Sequence, residues 1–230
     1  MPKEDKSIDF STVLGSAVHD MKNSLCLLMQ SIEDLGKSLV NTDPLSRDNL
    51  ASAHYEAARL NTGLVQLLSL YRAGLDNLPL NIDEYDIEIV IRELLSSNES
   101  YLNHKNMILE VNQSADLMWY LDTDLIGILL NDVLINAMRY SQKKIRLSVY
   151  TENQLLVFKV EDDGPGYPQS MLEAHNIEMQ KCDIGQGRTG LGLFFARLIA
   201  QAHTKGETKG EIYLENGGSL GGSIFILTLP

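Results

Sequence analysis

Two glycine-rich stretches constrain this chain more than anything else in it. The first reads VEDDGPGYP (residues 160–168) and the second GRTGLGLFFARLIAQAH (residues 187–203). Glycine at such positions lets the backbone approach something that a Cβ would keep away. The second stretch opens a helix, so it also gathers backbone N–H groups and a positive helix end at one spot, which suits a phosphate. Residues 167–188 between them are polar and without periodicity. A loop of that length in a compact domain reads as a lid, with Arg188 and Thr189 near the phosphates. Gly190, Leu191, Gly192 and Leu193 begin the helix, which is expected to run to about Ala202. Asp162, Gly164 and Gly166 form DxGxG, a carboxylate at a strand end beside glycines. Such a carboxylate can accept a hydrogen bond from an exocyclic amine such as that of adenine.

The N-terminal part has a different period. Leu14, Val18, Met21, Leu25, Leu28, Ile32, Leu35 and Leu39 alternate steps of four and three, a heptad seam. Leu50, Ala53, Ala57, Leu60, Leu64, Leu67 and Tyr71 form a second seam. NTDPLSRDN lies between and predicts a turn. The two helices would be about 45 and 38 Å long at 1.5 Å per residue. A lone hairpin leaves much of such seams in water, so pairing with a second copy into an antiparallel four-helix bundle is expected, giving a two-fold homodimer. His19 falls one position past Val18, at the flank of the seam. Asp20 is beside it, and Asn23 lies one helical turn on. Taken alone, HDMKN reads first as an ordinary surface patch. Its functional reading is an imidazole nucleophile, with Asp20 holding the proton of the other ring nitrogen and Asn23 orienting a water or a phosphoryl oxygen.

The heptads stop in GLDNLPLNI (residues 74–82), which places a domain boundary there. A short strand and a helix are expected next, then strands at MILEVN and WYLDTD, with Asp122 or Thr123 capping the following helix. On that helix, LIGILLNDVLINAMRYSQ, helical spacing groups Asp132, Asn136, Arg139, Tyr140 and Lys143, while Ile126, Leu130, Val133, Leu134 and Ala137 face elsewhere. A polar stripe is commonly just a solvated face. Amid large apolar neighbours this one fits the lining of a pocket: Asn136 offers a hard amide oxygen to Mg2+, and Arg139 and Lys143 suit phosphates. KKIRLSVY and QLLVFKVED predict a strand hairpin turning at TEN. GEIYLEN and GGSIFILTLP predict another around Gly217, Gly218, Gly221 and Gly222.

Charge and composition narrow the partners. A formal charge of -12 and a pI of about 4.8 argue against a nucleic-acid surface, which needs a basic stripe. They leave a nucleotide ligand open, because a metal ion and a few local cations set the field at a small site. Cys26 and Cys182, the only cysteines, fit no metal spacing, and a reducing compartment is the simplest reading. No signal peptide is visible, and no apolar run approaches the roughly 20 residues of a membrane span. A cytoplasmic chain is expected.

With these residues assembled, the pattern resembles the sensor histidine kinases of two-component systems and, more widely, the GHKL ATPase superfamily. HDMKNSL (residues 19–25) is similar to the H-box, NDVLINAMRY (131–140) to the N-box, DDGPGYP (162–168) to the G1 box and GRTGLGL (187–193) to the G2 box. The resemblance implies a dimerisation and phosphotransfer hairpin over residues 1–75, followed over residues 80–230 by an ATP-binding α/β sandwich of Bergerat type. It implies autophosphorylation at His19 with Asp20 as its acid/base partner, and an Asn23 that helps remove phosphate from the partner. It also implies Asn136 as the Mg2+ ligand, Asp162 as the adenine contact and a response-regulator aspartate as acceptor. Departures from the pattern are Ser24 where proline is common, Asp132 at a position of open role, a lid without a phenylalanine box, and His203 without an assigned role. No sensor segment is visible, which points to input from a separate protein. The rival readings are a non-catalytic histidine phosphotransfer or scaffold protein with a GHKL-like domain, and a GHKL ATPase without histidine phosphorylation.

Overall fold

The structure, a computed structural model, describes residue 21, residues 23–32 and 34–35, single positions 50, 53, 57, 60, 63 and 78, and residues 80–173 and 191–230. The chain divides into two compact units, Met1–Gly74 and Leu75–Pro230.

In the first unit every described residue between 21 and 35 and between 50 and 63 is helical. Of the seam residues, Ile32 and Ala57 are buried, while Met21, Leu28, Leu35 and Leu60 stay exposed. The expected turn at residues 41–49 lies outside the described residues.

The second unit begins with strand β1 (Asp83–Asp86) and helix α1 (Ile87–His104). The Asp86 side chain accepts the Glu88 N–H at 2.9 Å and caps α1. Ile87, Val90, Ile91 and Leu94, spaced by three and four, bury one face of α1. Strands β2 (Ile108–Gln113) and β3 (Met118–Leu121) follow, and then helix α2 (Thr123–Tyr140). Next come β4 (Lys144–Glu152), β5 (Leu155–Asp162), the short α3 (Gln169–Glu173) and α4 (Leu191–Ala202). A small hairpin, β6 (Thr204–Lys205) with β7 (Thr208–Lys209), precedes β8 (Glu211–Asn216) and β9 (Ser223–Leu229).

Five strands form one sheet in the order β2-β4-β5-β9-β8. Only β2–β4 is a parallel pair; the other three pairings are antiparallel. The β4–β5 hairpin turns at Asn153 and Gln154, both with positive φ (49° and 65°). Two such residues give the turn whose twist matches that of the strands, one step later than the sequence suggests. β1 and β3 pair separately.

Alternation decides which sheet face is covered. Ile145, Leu147 and Val149 of β4, Leu156, Phe158 and Val160 of β5, and Phe225, Leu227 and Leu229 of β9 are all buried. The pairing Val149↔Phe158↔Leu227 puts them on one face. Helix α2 packs on β5 and lies in contact with both α1 and α4. Phe158, Phe195 and Phe225 are among the largest fully buried side chains, each worth about 2–3 kcal/mol of transfer free energy. The result is a two-layer α/β sandwich.

Candidate functional site

Strand β5 delivers Asp162 to the sheet edge of the helical layer, and the carboxylate is 5% exposed. A buried carboxylate needs hydrogen bonds to stay charged. Its Oδ1 accepts the N–H of Gly164 at 2.7 Å and that of Ser223 at 3.1 Å, and its Oδ2 accepts the Ser223 hydroxyl at 2.5 Å. A carboxylate has about four acceptor directions. Three are filled by the described residues, which leaves one on Oδ2. The Asp162 carbonyl accepts the Gly222 N–H at 3.0 Å. A Cβ on Gly222 would overlap both the Asp162 carboxylate and the Gly164 nitrogen. Glycine there is what lets the β8–β9 loop close over Asp162.

The same turn is pressed onto the end of α2. A Cβ at Gly164 would sit 2.5 Å from the Tyr140 carbonyl oxygen, so only glycine allows this approach. Residue 166 has φ of +83°, which again favours glycine. The turn that carries Asp162, Gly164 and Gly166 therefore meets Tyr140 through Gly164. Asn136 lies one turn earlier on α2, is exposed, and no hydrogen bond engages its side chain among the described residues. The exposed Arg139 guanidinium lies over the Tyr140 ring, 5.6 Å from its centroid. Asp132 is half-buried.

The predicted stripe ends sooner than its spacing suggests. Ser141 leaves the helical region (φ -68°, ψ 156°), so Lys143 does not continue the α2 face. The cause is Asp163, whose carboxylate accepts the N–H groups of Gln142 at 2.8 Å and Lys143 at 3.0 Å and so draws the chain out of the helix. Burial works to raise the Asp163 pKa, but the N–H donors of Lys143, Lys144 and Gln142 outweigh it and hold the carboxyl below its ordinary value.

At the opposite end of α2, Asp122 is the N-cap. It accepts Leu125 N–H at 3.0 Å and Asn81 N–H at 2.8 Å. Its own N–H donates to His203 Nε2 at 3.0 Å, and His203 Nδ1–H donates to the Ile199 carbonyl at 2.8 Å. This pattern fixes a neutral imidazole. Burial lowers the His203 pKa and outweighs the opposing pull of the Ile199 carbonyl and the Asp122 charge. His203, without an assigned role in sequence, joins the end of α4 to the start of α2.

Leu191 and Gly192 lie in the first turn of α4. His19, Asp20, Arg188, Thr189, Gly190 and, of the lid expected over residues 167–188, residues 174–188 lie outside the described residues, while Gln169–Glu173 of that stretch form α3. Asn23 is helical and exposed.

Residues 121–230 match the family model described as histidine kinase-, DNA gyrase B-, and HSP90-like ATPase. Over these residues the chain is similar to a histidine-kinase-type ATPase domain. Relatives extend the likeness beyond that domain. The sensor protein KdpD of Clostridium acetobutylicum is 25% identical over 227 residues, 96% of this chain and 24% of KdpD. The sensor histidine kinase YkoH of Bacillus subtilis is 27% identical over 192 residues, 81% of this chain and 41% of YkoH. The chain thus spans less than half the length of either. Among solved structures, the histidine kinase AdeS of Acinetobacter baumannii superposes with a TM-score of 0.59 at 24% identity, covering 92% of this chain and 96% of that one. At that identity the likeness concerns the fold. Within the ATPase domain, Ser223, Gly222 and Asp163 join the residues expected from sequence. None of the helices among the described residues is long and apolar enough to cross a membrane.

Proposed function

We propose that this chain is an ATP-dependent histidine autokinase of two-component signalling, and that it passes phosphate to an aspartate of a response regulator. The observation that carries the nucleotide half of this reading is the Asp162 carboxylate, held by three donors with one acceptor direction left for an exocyclic amine. The close approach of Gly164 to Tyr140 at the end of α2, the helix that carries Asn136 and Arg139, supports including those two residues in the site. Among the described residues no cluster of three His, Cys, Asp or Glu side chains could hold a metal. Asn136, with an unengaged amide oxygen, fits an Mg2+ ion shared with phosphates and waters, where the ion neutralises phosphate charge.

In this reading residues 1–75 form the helical hairpin and residues 80–230 the catalytic domain. The exposed seam residues Met21, Leu28, Leu35 and Leu60 support burial in a homodimeric four-helix bundle. A His19 ring nitrogen attacks the γ-phosphorus of ATP. An N–P bond forms while the bond to the β–γ bridging oxygen breaks and ADP leaves, with Asp20 holding the proton of the other ring nitrogen. The group then passes to a carboxylate of the regulator's receiver domain. Asn23, exposed on its helix, serves dephosphorylation of the regulator by orienting the water that attacks the phosphoaspartate and releases inorganic phosphate. Arg139, Arg188, Thr189 and the residues opening α4 face the phosphates. The chain works in the cytoplasm.

Incubation with labelled ATP and Mg2+ tests this reading. Acid-labile, base-stable label is expected on the protein and none on His19→Gln. Stable label on that variant would refute the assignment of His19.

A further inference from the structure

The G1 turn is held from a side that the proposed chemistry does not use. Asn216, the last residue of β8, grips the main chain of Tyr167. Its Oδ1 accepts the Tyr167 N–H at 2.7 Å, and its Nδ2 donates to the Tyr167 carbonyl at 2.8 Å. Both bonds run between one side-chain amide and one residue's backbone, as a neighbouring strand would make them. The turn is shaped around this grip, because a Cβ on Gly166 would come within 2.9 Å of Asn216 Cγ and Oδ1. Gly166 takes a positive φ at the same place.

Tyr167 is the residue so fixed, and it closes the turn that Asp162 opens. Burial, and then the negative charge of Asp162, push the phenol pKa well above its ordinary value. Asp162 itself is tied to the start of β9 through Ser223, and Asn216 ends the strand paired with β9, opposite Ser223. The two ends of the β8–β9 hairpin therefore hold the two ends of one turn: Ser223 holds Asp162 and Asn216 holds Tyr167. Freed from Asn216, Tyr167 could move away from Asp162 without disturbing the carboxylate.

We propose that Asn216 is a positioning residue of the nucleotide site: its two-bond grip on Tyr167 sets the base-side wall beside Asp162 and so contributes to recognition of adenine. This rests on the reading of Asp162 as the base contact. An exocyclic amine bound at the open direction of Oδ2 meets a wall whose place is set by the hairpin. The two bonds of the grip reach Tyr167 alone and engage neither Asn136 nor α4.

Calorimetric titration of the full chain with ATP, GTP and inorganic tripolyphosphate, all with Mg2+, tests the proposal. Asn216→Ala is expected to weaken ATP roughly three- to tenfold, the range for one or two net hydrogen bonds. It should also reduce the preference for ATP over GTP and leave tripolyphosphate within about twofold. Asn216→Asp keeps an acceptor for the Tyr167 N–H and loses the donor. Its ratio of ATP to tripolyphosphate affinity should lie between those of wild type and Asn216→Ala, and it decides the matter if the alanine variant does not fold. Unchanged ATP affinity, or equal loss for ATP and tripolyphosphate, overturns the positioning role while the nucleotide reading stands. A wild-type chain that takes up no ATP overturns both.

Discussion

Asp162 and Asn136, which the proposed function sets at the base and phosphate ends of one site, are held in opposite ways. Asp162 is buried, accepts three hydrogen bonds, and has glycines on each side whose replacement would bring atoms into collision. Asn136 is exposed, and no hydrogen bond engages its side chain among the described residues. The first arrangement is preorganised, with its polar groups already satisfied before a ligand arrives. The second is unconstrained and takes its order from the ion and phosphates it meets. The difference teaches that the base end of the site is part of the fold, whereas the phosphate end is a surface that the fold merely presents. Mutations at the two ends should separate stability from activity.

The sharpest separation is expected at Asn136. Asn136→Asp should lower ATP-dependent labelling by about two orders of magnitude or more, with a melting temperature close to wild type, since nothing in the described fold depends on that side chain. Loss of folding with loss of labelling would break the contrast. Asp162→Asn should do both kinds of damage. An amide cannot accept from Gly164, Ser223 N–H and the Ser223 hydroxyl together, so about 2–3 kcal/mol of stability is expected to go, along with about tenfold or more in ATP affinity. Chemical denaturation beside nucleotide titration reads the two losses separately.

Gly164→Ala probes the same end through the backbone. Its new methyl meets the Tyr140 carbonyl, and a loss of about 1–3 kcal/mol is expected; a neutral result would mean that the turn can retreat from α2. The smallest effect is one of pH. The His203 pKa is lowered in the fold, so the unfolded chain binds the proton more readily. Its contribution is complete above the unfolded value of about 6.5 and is lost as pH falls below it. Between about pH 7.5 and 5.5 wild type should lose stability from this group. His203→Gln should start less stable and lose less over that interval. Parallel curves for the two proteins would remove His203 from the account.

The fold and site were legible where the signal is local. Gly164 and Gly166 announce a tight turn, the alternation in β4 and β5 announces a half-covered sheet, and the Asp122 cap is visible one residue before its helix. What escaped was held over distance. Asp122 meets His203 81 positions along the chain, Asn216 meets Tyr167 at a separation of 49, and Asp163 meets Gln142 at 21. No pattern of period two or 3.6 encodes such pairs. Lys143 is misplaced for a related reason: the stripe on α2 extends past Ser141, where Asp163, just beyond the end of β5, already ends the helix. His19, Asp20, Arg188, Thr189 and Gly190 rest on motif resemblance and lie outside the described residues.

The position of β9 between β5 and β8 has a consequence for synthesis. A nascent chain that has emerged only as far as Asn216 carries a β5 with an unpaired edge, bearing Leu156, Phe158 and Val160, and a β8 with no neighbour to join. Such an edge invites pairing with other chains. The ribosome must release Ser223–Leu229 before the sheet can close, and the same seven residues bring the hydroxyl that Asp162 needs. Until then the growing polypeptide is at its most vulnerable to aggregation, and chaperone binding to it should fall off sharply once that last strand is free.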